Sequence, residues 1–458
     1  MTERLGFLSE TTGINISVWD AARPAGSNGQ RWCPVGFLSA LGPLAGSFMY
    51  LREYDGPPLD PVNLDYRKVP PGTVFRPTGG RAGELHGVFS DALPGHFGMA
   101  VLTQQFPELK RMSDLEKLCW FGRRIQSGLL FEVKHRSTPE RYIEGLRYLE
   151  VVREQAVRFH LHQLRNVLNS QNFYGLTSLG GARPKAAVKW DGRYWVAKFN
   201  LPEDPYSNLA RVEHASLELA AAAGLTVPES RVVTLPESQQ DVLLVDRYDC
   251  TPTGRFHRLS LRTLTGTDNT GWAHGATADF QDIAKAMRAA NPEGFAGADG
   301  EEMIRLLAFQ VGAQVGDNHL RNFEMMLDEH NDWRLTPAFD QVPVPGQSVM
   351  FATRPGGFAN SGQARSPHLA GAVARTFDRD VTQVRRILAD TWRGMAGAFD
   401  RVVRDAGLSP QDQRLLREAV PVGDLARLAE TLSPAPNTAK PNSPEPGAFA
   451  PRSACKNK

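Results

Sequence analysis

Cysteine is scarce in this sequence, and the four cysteines among its 458 residues form no C-x-x-C pair. This spacing excludes a disulfide scaffold and a zinc ribbon, and it fits a reducing compartment. The chain has no stretch of about 18 uncharged apolar residues, so no transmembrane helix is expected. The N-terminal MTERLGFLSE also lacks the apolar core of a signal peptide. We therefore expect a soluble, cytoplasmic protein without a membrane partner.

Net charge is also nearly absent, because 52 Lys and Arg residues stand against 50 Asp and Glu residues. This balance excludes a polybasic protein whose binding depends on net charge, but it allows a local basic patch. One basic cluster comprises Arg123, Arg124, Lys134, His135 and Arg136. Such a cluster is typical of a solvated face, and the alternative is a contact with DNA.

The order of local patterns indicates a two-lobed domain behind a smaller module. Short strand-like runs and Gly/Pro turns fill residues 1–112, which we interpret as an α+β N-terminal module. Residues 113–250 contain connector helices and a β-rich lobe, and residues 251–432 are mainly helical. The six prolines and scarce large apolar residues of 433–458 predict a disordered tail. The predicted fold class is α+β, with the layout of a protein kinase.

Two local signals are especially clear in the β-rich lobe. Asp191-Gly192 separates two strand-like runs, and this dipeptide is a strong signal for a two-residue hairpin. A helix is predicted for Ala210–Ala223, where Gly224 supplies the residue that ends it.

A lysine on the second of these strands is the first candidate for phosphate chemistry. Lys198 stands in Val-Ala-Lys, where alternation can direct its ammonium group into a cleft. Glu213 follows on the next helix and could form an ion pair with it. Glu218 is a competing partner, and a surface lysine with solvated helix charges is the alternative for the whole pattern.

The sequence GDNHLRN provides the strongest chemical signal. Asp317 and Asn322 reproduce the D-x-x-x-x-N spacing of kinase catalytic loops, in which the aspartate accepts a hydroxyl proton and the asparagine binds Mg²⁺. Asp340, which we expect at the end of a WRLTPAFD strand, could hold the metal as a second ligand. Turn and cap positions are the alternative for the single residues. The conjunction with Lys198 favours the metal–phosphate interpretation.

A glycine pair stands where a kinase keeps its phosphate loop. Gly180 and Gly181 lie near Arg183 and Lys185, which suits a close approach to an anion. The segment has neither G-x-G-x-x-G nor a Walker A motif, so a plain β-turn is the competing interpretation.

Five segments in chain order, TSLGGARPKA, WVAKFN, LLVDRYD, GDNHLRNF and LTPAFD, resemble the signature set of HipA-family toxin kinases. GVFSDALPGHFG resembles the N-terminal region of that family, so the similarity runs from about Ile14 to Leu432. The resemblance implies a bacterial Ser/Thr protein kinase domain with a packed N-terminal module.

The resemblance also implies roles for single residues. Asp317 becomes the catalytic base, Asn322 and Asp340 the Mg²⁺ ligands, and Lys198 the lysine that binds the phosphates of ATP. His319 becomes a structural hydrogen-bonding residue, and Ser178 the serine that is autophosphorylated to switch the kinase off. The remaining ATP contacts implied by the family are in the phosphate loop and the adenine hinge: Gly180, Gly181, Ala182, Lys185, Val245, Asp246 and Tyr248.

The partners are likewise expectations of the resemblance. The family pairs such a kinase with a HipB-like helix-turn-helix antitoxin, through which most DNA contact is made. Its protein substrate at the family level is glutamyl-tRNA synthetase. Two alternatives remain open: a kinase-shaped corepressor with little catalysis, and a kinase whose acceptor is a small molecule.

Overall fold

The computed structural model describes residues 13–22, 31–40, 42–77, 84–121, 127–132, 143–162, 181–267, 278–346 and 348–433. Ser178, Gly180, the basic cluster at positions 123–136 and the tail after residue 433 lie outside these ranges. Among the described helices, none combines the length and hydropathy needed to cross a bilayer.

A four-stranded antiparallel sheet forms the core of the N-terminal module. Its strands are β1 Gly13–Trp19, β2 Trp32–Ser39, β3 Phe48–Tyr50 and β4 Leu129–Glu132, in the order β3-β2-β1-β4. Alternation along β1 buries Ile14 and Ile16 while Asn15 is exposed. The module also contains helices α1 Gly87–Ser90, α2 His96–Gln105 and α3 Asp114–Phe121, and Phe89 of α1 packs against Phe48 and Phe131 of the sheet. Strand β4 comes from the segment beyond residue 112, so this sheet draws on residues of the predicted connector.

A five-stranded sheet forms the next lobe. Its strands are β5 Ile143–Glu144, β6 Lys185–Trp190, β7 Arg193–Phe199, β8 Ser230–Thr234 and β9 Asp241–Asp246. Their order is β5-β6-β7-β9-β8, and only the β5–β6 pair is parallel. The sheet packs with helices α4 Leu146–His160 and α5 Leu209–Ala222. Asp191 and Gly192 connect β6 to β7 with φ values of 52° and 72°, the left-handed pair of a type I′ turn, as predicted.

The last lobe is mainly helical and contains two small sheets. Its strands are β10 Arg258–Ser260, β11 Ala278–Asp279, β12 Glu324–Leu327, β13 Trp333–Leu335 and β14 Thr353–Arg354, with pairings β10-β12-β13 and β11-β14. Its helices are α6 Leu261–Thr265, α7 Phe280–Ala290, α8 Pro292–Ala296, α9 Ala298–Gly312, α10 Ser361–Ala364, α11 His368–Phe377, α12 Val381–Asp405, α13 Pro410–Ala419 and α14 Val422–Leu432. Helix α9 is buried along most of its length and leads directly into the loop that contains Asp317.

The N-terminal module is attached to the helical lobe by polar contacts around β10. Nε2 of the buried His257 donates a hydrogen bond to the carbonyl oxygen of Leu59 at 2.8 Å. The Asp91 carboxylate accepts hydrogen bonds from the backbone N–H of Ser260 at 3.0 Å and from its hydroxyl at 2.7 Å. Close packing accompanies them, because a Cβ atom on Gly128 would lie 2.4 Å from the backbone of His257.

Candidate active site

Lys198 occupies the centre of the candidate site, on the middle strand of the five-stranded sheet. Its neighbours Ala197 and Phe199 on β7 are buried in the core, so alternation directs the Lys198 side chain to the opposite face. There its Nζ atom contacts both Oε1 of Glu213 and Oδ1 of Asp340. The structure thus brings together three residues that are separated by up to 142 positions.

Helix α5 presents Glu213 to this lysine. The helix begins at the cap residue Asn208, whose side chain accepts a hydrogen bond from the backbone N–H of Arg211 at 3.2 Å. Glu213 is buried on the side that faces the sheet, whereas Glu218 is exposed. Of the two glutamates considered from the sequence, Glu213 is therefore the one that contacts Lys198.

Opposite charges control ionisation in this cluster. Burial opposes the charged form of Lys198, but the carboxylates of Asp340 and Glu213 outweigh it and raise the lysine pKa above its usual value. Burial likewise raises the pKa of Asp340, yet the ammonium groups of Lys198 and Lys185 lower it well below its usual range. Both partners are consequently charged at neutral pH.

Lys185 adds a second cation beside Lys198. The two lysines are direct partners in the β6–β7 register, so their side chains lie on the same face of the sheet. Burial lowers the pKa of Lys185, and although Asp340 opposes this change, Lys198 reinforces it. A polyanion that enters here would meet two lysines on one face of the sheet.

The described part of the phosphate loop begins at Gly181. This glycine has a φ of 94°, and a Cβ atom there would lie 2.7 Å from Nζ of Lys185. Its carbonyl oxygen accepts a hydrogen bond from the backbone N–H of Phe97 in α2 at 3.1 Å. Ala182 and Gly181 are both exposed. The N-terminal module therefore contacts the loop that was predicted to approach the phosphates.

The catalytic-loop candidates follow α9 and form a tight turn. The Asn322 side chain donates a hydrogen bond from Nδ2 to the backbone carbonyl of Asp317 at 2.6 Å. His319 places its Nε2 atom 3.7 Å from Oδ1 of Asp317, whose side chain is 66% exposed. An exposed carboxylate held on a short turn is accessible to a hydroxyl group of another molecule.

Asp340 differs in position from the expectation, although its contact with Lys198 fits the predicted site. The strand β13 ends at Leu335, so Asp340 lies five residues beyond it rather than at its end. The chain leaves the sheet because Pro337 has no backbone N–H and because Ala338 donates its N–H to Thr226, at 2.8 Å. Asp340 itself has a φ of 54°.

The donor set of Asn322 and Asp340 fits Mg²⁺. Mg²⁺ prefers hard oxygen ligands and takes one or two carboxylates together with substrate phosphates. The Asn322 hydrogen bond uses Nδ2, and its Oδ1 accepts no hydrogen bond from the described residues. Asp340 uses Oδ1 for Lys198, and its side chain is 30% exposed. These two side chains would hold the ion, which would neutralise charge that develops on transferring phosphates.

The predicted hinge residues are at the end of β9. Val245 is paired with both neighbouring strands, and the N–H of Asp246 donates to Glu229 at 2.8 Å. The Asp246 side chain forms an ion pair with Arg193 at 2.7 Å. Tyr248 donates its hydroxyl to Glu324 at 3.2 Å, and its ring centre lies 6.2 Å from that of Phe339, next to Asp340. Tyr248 is thus the hinge residue with the clearest position beside the site.

Sequence reasoning missed three buried amides next to these residues: Gln310, Asn318 and Gln341. Asn318 and Gln341 directly follow Asp317 and Asp340, which was the available signal. A side-chain amide carries no charge and has no spacing rule, so its role became visible only from its partners.

Residues 177–401 match the family model described as the HipA-like C-terminal domain. The chain therefore contains a HipA-like C-terminal domain, which spans just under half of its length. The match contains Lys198, Glu213, Asp317, Asn322 and Asp340, and it confirms the family predicted from the motifs. These residues of the candidate site are thus all part of the matched domain.

One curated relative of this chain is the Sinorhizobium fredii protein named "Putative kinase Y4dM". The two are 27% identical over 160 residues, which is 32% of this chain and 37% of the relative. The match therefore spans little more than a third of that relative's length.

Two solved structures align with this chain. HipA of Shewanella oneidensis MR-1, solved with HipB and its operator DNA, aligns over 91% of this chain and 97% of its own at 14% identity, with a TM-score of 0.62. At this identity the likeness shows the fold alone, and it confirms the predicted α+β kinase-like fold. The Helicobacter pylori kinase CtkA aligns over 56% of this chain and 94% of its own at 11% identity. Its TM-score of 0.40 is too low to show a shared fold.

Proposed function

We propose that this protein is an Mg·ATP-dependent serine/threonine protein kinase that acts as the toxin of a toxin–antitoxin pair. The single observation that carries the proposal is Lys198, held between Glu213 and Asp340 on the face of the sheet that also carries Lys185. This arrangement supplies a cation for phosphate oxygens and a carboxylate for the metal at the same point.

The chemistry follows from the positions of the side chains. Lys198 and Lys185 bind phosphate oxygens of ATP, and Asn322 and Asp340 hold Mg²⁺. The acceptor hydroxyl oxygen attacks the γ-phosphorus while the bond to the β–γ bridging oxygen breaks, so that ADP leaves. Asp317 accepts the hydroxyl proton. The exposure of the Asp317 carboxylate makes it accessible to an acceptor hydroxyl of another molecule.

The partner and the substrate are part of the same proposal. We infer a HipB-like helix-turn-helix antitoxin that carries most of the DNA contact, supported by the Shewanella relative, which was solved with HipB and operator DNA. An aminoacyl-tRNA synthetase, with glutamyl-tRNA synthetase first, is the substrate to test. Ser178 is the proposed site of autophosphorylation, because a phosphate beside the phosphate loop would repel the phosphates of ATP.

The test is phosphate transfer by the wild type and by Asp317→Asn, followed by intact mass after incubation with Mg·ATP. The wild type gains about 80 Da per phosphate and the variant does not, because loss of a base lowers the rate about 10²- to 10⁴-fold. Glu237→Gln removes an exposed carboxylate in the β8–β9 turn and keeps full transfer.

Two results would contradict the proposal. Full activity of Asp317→Asn would remove the aspartate from its role as base. A wild type that does not bind ATP and does not transfer phosphate, but does bind an antitoxin, would favour the corepressor function instead. Peptide mapping of the wild-type product decides whether Ser178 carries the phosphate.

A further inference from the structure

Three buried side-chain amides form a continuous hydrogen-bonded chain behind the candidate site. Asn318 donates from Nδ2 to Oε1 of Gln310 at 3.3 Å, and Gln310 donates from Nε2 to Oε1 of Gln341 at 3.1 Å. Gln341 donates from Nε2 to the carbonyl oxygen of Phe339 at 2.6 Å. None of the three residues is more than 1% exposed.

The ends of this amide chain lie next to the two carboxylates of the site. Asn318 directly follows Asp317, and Gln341 directly follows Asp340. Asn318 is further fixed because its Oδ1 accepts from the N–H of Thr353 and its Nδ2 donates to the same residue's carbonyl, both at 2.9 Å. The rigid helix α9, which carries Gln310, thereby connects the loop of the base to the loop of the metal ligand.

Polar side chains at these positions require a reason. The neighbours of Gln310 on helix α9, Phe309 and Val311, are buried and apolar, so an apolar side chain at position 310 would fill the same space without burying an amide. Buried amides are retained when their hydrogen bonds specify one arrangement. Here the arrangement includes Asp340, whose φ of 54° is unfavourable for a residue with a Cβ atom and persists only when its surroundings hold it.

We propose that Gln310 is a positioning residue, which acts through Asn318 and Gln341 to fix the distance between the carboxylates of Asp317 and Asp340. The inference rests on the proposed function of these two aspartates as base and metal ligand. Gln310 itself touches neither ATP nor acceptor. It sets where the attacking hydroxyl stands relative to the metal-bound phosphate.

The experiment compares Gln310→Met with the wild type in the full chain. Methionine keeps the volume and removes both hydrogen bonds, so the two loops lose their common anchor. We expect kcat to fall about 10- to 100-fold because the reacting groups are misplaced, while KM for ATP changes less than about 3-fold. The Mg²⁺ concentration for half-maximal activity rises, since Asp340 is the ligand that loses its support.

A matched control removes a different buried hydrogen bond from the same helix. Trp392 donates from Nε1 to the carbonyl oxygen of Ala308 at 2.9 Å, on the side of α9 that faces α12. Trp392→Phe therefore lowers stability without loosening either loop, and its kcat and Mg²⁺ requirement stay at wild-type values. An equal fall of kcat in Trp392→Phe would make the effect of Gln310 a loss of stability only.

Amide hydrogen exchange supplies a readout that needs no activity. In Gln310→Met, exchange of the N–H of Thr353 in β14, which donates to Asn318, becomes faster, whereas the backbone amides of α9 keep their protection. If Gln310→Met does not fold, Gln341→Met tests the same chain from its other end. Unchanged kcat together with unchanged Thr353 exchange overturns the inference. A wild type without transfer activity overturns the proposed function, while the exchange data still decide whether Gln310 couples the two loops.

Discussion

Lys198 forms ion pairs with two carboxylates at once. Asp340 and Glu213 would each face a costly burial without a cation, and Lys198 contacts both. The pKa of Asp340 is therefore low mainly because the Lys198 ammonium group lies beside it. Removing the lysine leaves two like charges close together, with Lys185 as the remaining cation beside them.

Lys198→Met is expected to lower the free energy of unfolding at pH 7 by about 3 kcal/mol. The sign of the pH dependence follows from Asp340, whose folded pKa lies below its unfolded value of about 4. The wild type keeps this stabilisation above pH 4 and loses it as the pH falls through the folded pKa. In the variant, Lys185 is the one that remains of the two ammonium groups that lower the pKa of Asp340 in the wild type. Burial therefore raises this pKa, and protonation of Asp340 stabilises the variant as the pH falls.

The measurement is the difference in unfolding free energy between wild type and Lys198→Met, from urea titrations at pH 7, 5 and 4. The difference shrinks as the pH falls. A difference that stays constant with pH would show that Asp340 does not depend on Lys198. The exposed Lys285 on α7 provides the control, because Lys285→Met changes stability by less than about 0.5 kcal/mol.

At the scale of single elements, the β6–β7 hairpin shows a conformational requirement without a steric one. Gly192 has a φ of 72°, and no atom lies within 4 Å of the position that a Cβ atom would take. A side chain there would meet only the intrinsic penalty of the left-handed conformation.

Gly192→Ala is therefore expected to lower the free energy of unfolding by about 1 kcal/mol. The exposed Gly397 in the middle of α12 also has no atom within 4 Å of its Cβ position, and its φ is not positive. Gly397→Ala is expected to raise stability by about 0.5 to 1 kcal/mol, because alanine favours a helix. Thermal unfolding of both variants checks the opposite signs, and two changes of the same sign would contradict this account.

Local signals explain which elements the sequence could predict. The Asp191-Gly192 turn and helix α5 were predicted to within a residue because the turn dipeptide, the helical period and Gly224 are adjacent in sequence. Strand β4 was missed because its partner β1 is more than 100 residues away. The same holds for β10, which pairs with β12 across more than 60 residues. Pairing over such distances leaves no periodic trace in either short segment.

The site shows the same division. D-x-x-x-x-N and the Lys198 strand were predicted from spacing, and the structure places Lys198 against Glu213 and Asp340. The left-handed backbone of Asp340 and its position beyond β13 could not be predicted. They depend on where the chain turns after Pro337, and this turn is set by the hydrogen bond to Thr226, a residue more than 100 positions away in the sequence.

At the scale of the whole molecule, the contact between the N-terminal module and the helical lobe contains a titratable group. Burial of His257 lowers its pKa to about 4, the hydrogen bond to Leu59 opposes this change, and the nearby Arg258 reinforces it. The folded protein therefore holds His257 neutral, with its Nε2 proton donated to Leu59.

The unfolded chain protonates His257 near pH 6.5, while the folded chain resists protonation down to about pH 4. The contribution of neutral His257 to the free energy of unfolding is therefore fully present above pH 6.5. It falls by up to about 3 kcal/mol as the pH drops towards 4. In His257→Gln, whose amide can still donate to Leu59, unfolding free energy declines less over this interval. Denaturant titrations between pH 7 and 4 measure how the free energy of unfolding changes with pH. The same slope in His257→Gln and in the wild type would refute the role of His257 in this pH dependence. His330→Gln, at an exposed position, keeps the wild-type slope.

Through the Phe97–Gly181 hydrogen bond, the N-terminal module contacts the sheet lobe as well as the helical lobe. The module forms hydrogen bonds with His257 and Ser260 of the helical lobe and with Gly181, which precedes the first long strand of the sheet lobe. Kinase lobes ordinarily swing about a hinge to admit nucleotide and release product. In this protein, a large rotation of the sheet lobe away from the helical lobe would strain the Phe97–Gly181 hydrogen bond as well as the hinge. Under the proposed function, entry and release of nucleotide would therefore depend on a module whose described residues include none of the proposed site residues.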